Sequence, residues 1–169
     1  MALSLTAAHG NADRPRVPAG DVARGVIRLF ADMDAFGVRE MPLANGRRAD
    51  LIFVERGGGI VIVEIKVSRA DLLGDGKWPD YLDYCDRFFW ALPPGLDSAP
   101  LDDPARMPDR AGLLVADGYG AAVVREAAVN RLDAVRRKAL VLQLSRIAAR
   151  RLSALHDPDH ALLRESGDA

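Results

Sequence analysis

The segment Ile60–Val67 reads IVIVEIKV, and it limits the possible folds more than any other stretch of the chain. It is rich in β-branched residues and apolar on both faces apart from Glu64 and Lys66. That composition predicts a strand covered from both sides, which needs a sheet with a packed layer on each face. Alternation places Glu64 and Lys66 on one face and Val63, Ile65 and Val67 on the other. Two charges in such a strand are anomalous. Burying a lone charge costs several kcal/mol, so buried charges are paired or hold a metal.

The surrounding elements follow from periodicity and turn residues. Residues 1–19 read as a loose tail. Asp21 caps a helix whose apolar stripe runs from Val22 to Phe36 and closes at Gly37. Val38–Pro42 and Arg47–Glu55 read as strands joined by a tight Asn45-Gly46 turn. Pro79 opens a second helix through Tyr81–Leu92, which Pro93-Pro94 stops. Residues 93–110 hold five of the ten prolines and read as an exposed loop. A hairpin, Gly112–Ala116 and Ala121–Glu126, and a long helix over 131–155 complete the chain. Residues 156–169 read as a frayed polar tail. The order α-β-β-β-α-β-β-α predicts one α/β or α+β domain over residues 20–155, built around a mixed central sheet.

The glycine turn decides what faces Glu64. A three-residue loop at Gly57-Gly58-Gly59 pairs Arg56 with Ile60 and puts Asp50 opposite Lys66 and Ile52 opposite Glu64. Asp50, Glu64 and Lys66 then share one face, with Asp50 and Glu64 as diagonal neighbours. A one-residue slip would move Asp50 to the other face. Two carboxylates with a backbone carbonyl between them suit Mg²⁺ or Mn²⁺. A lysine beside them can orient or deprotonate water and stabilise developing phosphoryl charge.

Asp50, thirteen intervening residues and then Glu64-Ile65-Lys66 resemble the PD-(D/E)XK nuclease signature, with Ala49 where a proline often stands. Arg47–Val54 (RRADLIFV) and the block from Glu64 to Pro93 more narrowly resemble the MmcB-like DNA repair proteins, across residues 20–150. The resemblance implies a restriction-endonuclease-like core, a divalent metal, DNA as partner, and a DNA repair setting at the bacterial nucleoid with other repair proteins. It assigns Asp50 and Glu64 as metal ligands, the Ile65 carbonyl as a further ligand and Lys66 as the catalytic lysine. The function expected is metal-dependent hydrolysis of DNA phosphodiester bonds. The alternative is a nuclease fold serving as a DNA-binding or scaffold module with little or no hydrolysis.

Other residues carry weaker signals. Glu40 is placed as an auxiliary metal ligand or a solvent-facing strand residue. Lys77 is a candidate phosphate contact, and Trp78 either stacks on a base or anchors the core. Tyr81, Tyr84 and Phe88 fall at helical spacing. Asp71, Asp75, Asp80, Asp83 and Asp86 make this region acidic, as ligands, caps or repulsive charges. Residues 131–151 contain seven basic residues and one acid, so Arg136, Arg137 and their neighbours can grip phosphates while Leu132, Val135, Leu140, Leu144 and Ile147 face the core. His156 and His160 have the spacing of a helical metal pair but are separated by Pro158.

Composition sets the outer bounds. The chain has 169 residues, 49% of them hydrophobic, which excludes a largely disordered polymer. No apolar run is long enough to span a bilayer, and the first residues lack the basic start of a signal peptide. One cysteine, Cys85, excludes an intrachain disulfide and points to a reducing cytoplasm, where it reads as a buried small hydrophobe. The net charge of −1 leaves nucleic-acid attraction to local patches. Of 23 basic residues only Lys66, Lys77 and Lys138 are lysine, and lysine does work that the always-protonated arginine cannot.

Overall fold

The structure, a computed structural model, describes residues 17–157. The strands are β1 (Ala35–Pro42), β2 (Arg48–Glu55), β3 (Ile60–Ile65), β4 (Arg87–Leu92), β5 (Ala111–Ala116) and β6 (Ala121–Arg125). They form one six-stranded sheet in sequence order. β4 runs parallel to both β3 and β5, and the other pairs are antiparallel. The α-helices are α1 (Ala19–Asp32), α2 (Arg69–Gly74) and α3 (Ala134–His156), with 3-10 helices at Trp78–Tyr84, Ala99–Asp102 and Pro104–Arg106. This is an α+β fold, a mixed sheet flanked by helices. Of the expected tails at 1–19 and 156–169, residues 1–16 and 158–169, with His160, lie outside the described residues, while Ala19 opens α1 and His156 closes α3.

Each sheet face carries its own apolar layer. α1 lays Val22, Val26 and Phe30 against Phe53, Val61 and Phe89, with Phe30 stacked on Phe53 at 4.3 Å between ring centres. The opposite face buries Ile60, Ile62, Phe88 and Trp90 under Trp78 and Tyr81, with Leu140 of α3 closing the layer. All six β3 residues are buried, as the sequence demands of a strand covered twice.

The second helix expected through Tyr81–Leu92 does not form. Its first part is the 3-10 helix Trp78–Tyr84, and its second part is β4. The run FFWAL is buried at every position, so it has no polar side to give a helical period. Short, aromatic and apolar on both faces, it suits a central parallel strand. Tyr81 and Phe88 still pack together, at 6.2 Å between ring centres, but from different elements.

Smaller differences have local causes. Pro18, not Asp21, occupies the cap position of α1, while Asp21 sits in the first turn and pairs with Arg24 at 3.3 Å. Gly37 lies inside β1, where an added Cβ would stand 1.8 Å from the Ile52 carbonyl oxygen, so glycine is needed for close approach of the strands. The β1–β2 turn closes through Leu43 and Arg47, leaving three loop residues with Gly46 at φ 78°. The proline-rich connection is partly ordered into the 3-10 helices at Ala99–Asp102 and Pro104–Arg106, and it buries Leu101. On α3, Leu140 is buried as expected, but Val135 is 78% exposed and does not join the core face.

Asp86 fastens the site-bearing face together. Its carboxylate accepts the Ile60 N–H at 2.6 Å, the Leu132 N–H at 2.8 Å and both arms of the Arg137 guanidinium. It thereby joins the start of β3, the start of β4 and the approach to α3. Burial works against its charge, but the Arg137 bonds and the two backbone donors outweigh it and hold the carboxyl below its ordinary range.

Candidate active site

β2 and β3 pair with Val54 opposite Ile60 and Leu51 opposite Val63. The hairpin closes with Glu55 against Gly59, so its loop is Arg56-Gly57-Gly58, with Gly58 at φ 80°. The register thus differs by two residues from the expected one. A shift of two preserves parity, so Asp50 stays on the face of Glu64 and moves from the diagonal position to the directly opposite one.

At that position the carboxylates replace the backbone ladder. Asp50 N–H donates to Glu64 Oε1 at 3.1 Å, and Ile65 N–H donates to Asp50 Oδ2 at 2.9 Å. In an extended strand the N–H and C=O of one residue point to the same side, so the Ile65 carbonyl also faces Asp50. Glu40 lies beside this break with φ 53°, a left-handed conformation unusual outside glycine. Its carboxylate pairs with Arg48 at 2.6 Å, and its charge adds to the pressure on Asp50. The alternation of the two strands breaks here as well. Met41 and Ala49 join the same apolar layer as Val38 and Ile52, three residues away along each strand.

Glu64 is 3% exposed and Lys66 8%. The Lys66 ammonium lies 4.0 Å from Glu64 Oε2, 3.7 Å from Asp71 Oδ1 and 2.8 Å from Asp75 Oδ2. Burial, and then the charge of Asp50, push the Glu64 carboxyl up to about 8. Asp50 is also raised, by burial first, against the Ile65 N–H and Lys66, which favour its anion. For Lys66 burial favours the neutral amine, but the bond to Asp75 and the acids around it hold the ammonium above its ordinary value. The Tyr81 hydroxyl donates to the Arg48 carbonyl at 3.1 Å, and burial and the charges of Glu64 and Asp50 push its phenol upward.

Asp75 and Asp71 come from the segment after β3. Ser68 caps α2 by accepting the Asp71 N–H, which fixes the turn that carries both acids. Arg106, from the proline-rich connection, donates to the Asp75 carbonyl at 2.5 Å and to the carbonyls of Leu72 and Leu73. Its guanidinium lies 5.8 Å from the centre of the Trp90 ring, and Lys66 Nζ lies 5.9 Å from that centre. The sequence left Asp75 open between several roles and gave no sign of Arg106, which lies 31 residues from Asp75 and has no motif around it.

The candidate nucleic-acid contacts divide. Trp78 is 2% exposed and packs 5.4 Å from Phe88 and 5.5 Å from Trp90, so it anchors the core and offers no face to a base. Arg137 spends four of its donors on Asp86, Gly58 and Leu132, so it fastens α3 and is not free to grip phosphate. Arg136 is exposed, donates to the Asp83 carbonyl at 2.8 Å and lies 5.2 Å from the Tyr84 ring centre. Lys77 is exposed at the cap of the 3-10 helix. Cys85 is buried, and burial pushes its thiol up to about 12, which keeps it an unreactive hydrophobe.

The metal that the resemblance implies can be tested against these donors. Among the described residues, no group of three or more His, Cys, Asp or Glu side chains is arranged to hold a metal ion. The Asp50 and Glu64 carboxylates meet across the hairpin through the N–H groups of Ile65 and Asp50, and carboxylate oxygens are ligands of the kind a hard divalent cation takes. The raised carboxyls record burial first and the surrounding negative charge second, and a bound divalent cation would offset that charge. The residues therefore fit the metal in chemical type, as an open oxygen site and not as a closed cage.

Fold and site together define an α+β protein whose mixed sheet brings a buried carboxylate, a half-buried one and a buried lysine to the end of its second hairpin, an arrangement consistent with the PD-(D/E)XK superfamily. The family model for MmcB-like DNA repair proteins matches residues 11–159, and the chain belongs to that family. Membership supports a role in DNA repair. Among solved structures the chain is similar to the SPO1766 protein of unknown function from Silicibacter pomeroyi, at 40% sequence identity and a TM-score of 0.72, covering 84% of this chain and 93% of that one. No curated protein matches the chain. No helix among the described residues is long and apolar enough to cross a membrane.

Proposed function

We propose that the protein hydrolyses DNA phosphodiester bonds with a divalent metal, Mg²⁺ or Mn²⁺, in DNA repair. The observation that carries this reading is the direct opposition of Asp50 and Glu64 across β2 and β3, with the Lys66 ammonium 4.0 Å from Glu64. Asp50, Glu64 and the Ile65 carbonyl would hold the ion. When bound, it would lower the pKa of water and polarise a phosphoryl oxygen. Lys66 would orient the attacking water and offset charge developing on the phosphate. Asp75 would hold the Lys66 amine in place. Deprotonation of Glu64 would accompany metal loading, because a carboxylate ligand must be ionised.

A second reading, a nuclease fold that binds DNA or other repair proteins without cutting, draws on one observation. Lys66 is already tightly held by Asp75 at 2.8 Å. Calorimetric titration with Mn²⁺ separates the two readings. The wild type is expected to bind the ion, and Asp50→Asn and Glu64→Gln each to weaken binding at least tenfold. Equal binding in all three proteins would leave only the non-hydrolytic reading.

A further inference from the structure

Toward the start of β4, the face that carries the candidate site has a concavity. It is a pocket of about 250 Å³ between the end of the 3-10 helix Trp78–Tyr84 and the start of α3. Arg110, Arg131 and Arg136 line it together with Asn130, against Asp83 and Asp133. Asp133 caps α3 by accepting the N–H groups of Val135 and Arg136, so its charge is partly absorbed by the helix start. Two of the arginines are held in place by backbone. Arg136 donates to the Asp83 carbonyl at 2.8 Å, and Arg110 to the Leu82 carbonyl at 3.3 Å. Each bond engages one arm of a guanidinium that has five donors, which leaves further N–H groups on both. Arg131 is exposed at the rim.

We infer that this pocket binds a phosphate group, and that its occupant is a backbone phosphate of the same DNA strand that reaches the Asp50–Glu64–Lys66 site. The inference rests on the proposed function for the identity of the strand, but not for the pocket. Three guanidiniums around a concavity of this size, two of them already oriented, suit the tetrahedral oxygens of a phosphate. The 3-10 helix links the two places. Trp78 packs on Trp90 beside Lys66, and Leu82 and Asp83 hold the pocket arginines. At ~2 Å per residue the span from Trp78 to Tyr84 is about 12 Å. A few nucleotides of strand cover such a span, so the pocket would take a phosphate close to the bond at the site. The contacts reach only phosphate, so the pocket would set the register of the strand and not select its sequence.

The test uses the full chain and two probes. Inorganic pyrophosphate is titrated against ¹⁵N-labelled protein, reading the backbone amides of Asn130, Arg131 and Leu132. Saturable shifts are expected in the wild type and at least a fivefold weaker response in Arg131→Gln, whose side chain is at the rim and leaves the fold intact. Arg110→Gln serves as a second variant, with its circular dichroism checked against the wild type. Absence of saturable shifts, or an equal response in folded variants, overturns the pocket. Separately, fluorescence anisotropy measures binding of single- and double-stranded oligonucleotides across a salt series. Arg131→Gln is expected to weaken binding alike for unrelated sequences and to lower the slope of log K against log salt by about 1. DNA binding with an unchanged slope, or pyrophosphate binding with no DNA binding at all, overturns the assignment of a nucleic-acid phosphate as occupant. An Asp50→Asn variant that keeps the pyrophosphate response would show that the pocket stands independently of the metal-site reading.

Discussion

Glu64 is the residue on which the account leans most, and its burial makes it sensitive to pH. Its carboxyl is raised to about 8 in the folded chain, above its unfolded value of ~4.3. Between those values the folded state holds a proton that the unfolded state has lost, so folding stability falls as pH rises from about 4.3 to about 8. Asp50 shifts in the same direction and adds to the slope. Glu64→Gln keeps the shape without the charge, so it is expected to be more stable than the wild type at pH 8 by about 2–4 kcal/mol and nearly equal to it at pH 4. Urea melts of both proteins at the two pH values check this. Lys66→Arg tests a different property. Arginine keeps the charge but is larger, planar and always protonated, so cleavage is expected to fall at least a hundredfold while DNA affinity stays within about twofold. Cleavage at the wild-type rate would reduce Lys66 to a source of charge or packing.

At the level of elements, the sequence showed strands more clearly than it showed their partners. IVIVEIKV, Arg47–Glu55 and the Gly57-Gly58-Gly59 turn led to the antiparallel β2–β3 pair because β-branched runs and glycine turns are local signals. The same logic placed Asp50, Glu64 and Lys66 on one face, although the register was off by two, because parity survives an even shift. The β4 sequence reads as a helix because a short apolar run buried on both faces carries no period, and only the parallel neighbours on either side make it a strand. Trp78 and Arg137 were legible as residue types but not as roles. An aromatic and a guanidinium serve core and nucleic acid equally well until their partners are known. Asp86 shows what those partners do. Asp86→Ala would leave the Arg137 guanidinium and the Ile60 and Leu132 N–H groups without their acceptor. A loss of about 3–5 kcal/mol is expected in chemical denaturation, with faster amide exchange at the start of α3. A loss under 1 kcal/mol would show that α3 is fastened elsewhere.

For the molecule as a whole, charge sets what the proposed chemistry requires. A chain with net charge −1 has no global attraction for DNA, and the candidate site is itself acidic, with Asp50, Glu64, Asp71 and Asp75 around a single lysine. A divalent cation would reverse that local sign and let a phosphate approach. Because the ion would bind the folded state alone, excess Mn²⁺ is expected to raise the melting temperature of the wild type by a few degrees at pH 8 and that of Asp50→Asn by less. The most direct measurement is cleavage of end-labelled single-stranded, double-stranded and branched DNA in Mn²⁺ by the wild type and Glu64→Gln. The wild type is expected to cut at least one of these substrates, with cutting abolished by chelator and by Glu64→Gln. Intact DNA with every substrate, or equal cutting by the Glu64→Gln protein, would contradict a hydrolytic centre at Asp50, Glu64 and Lys66.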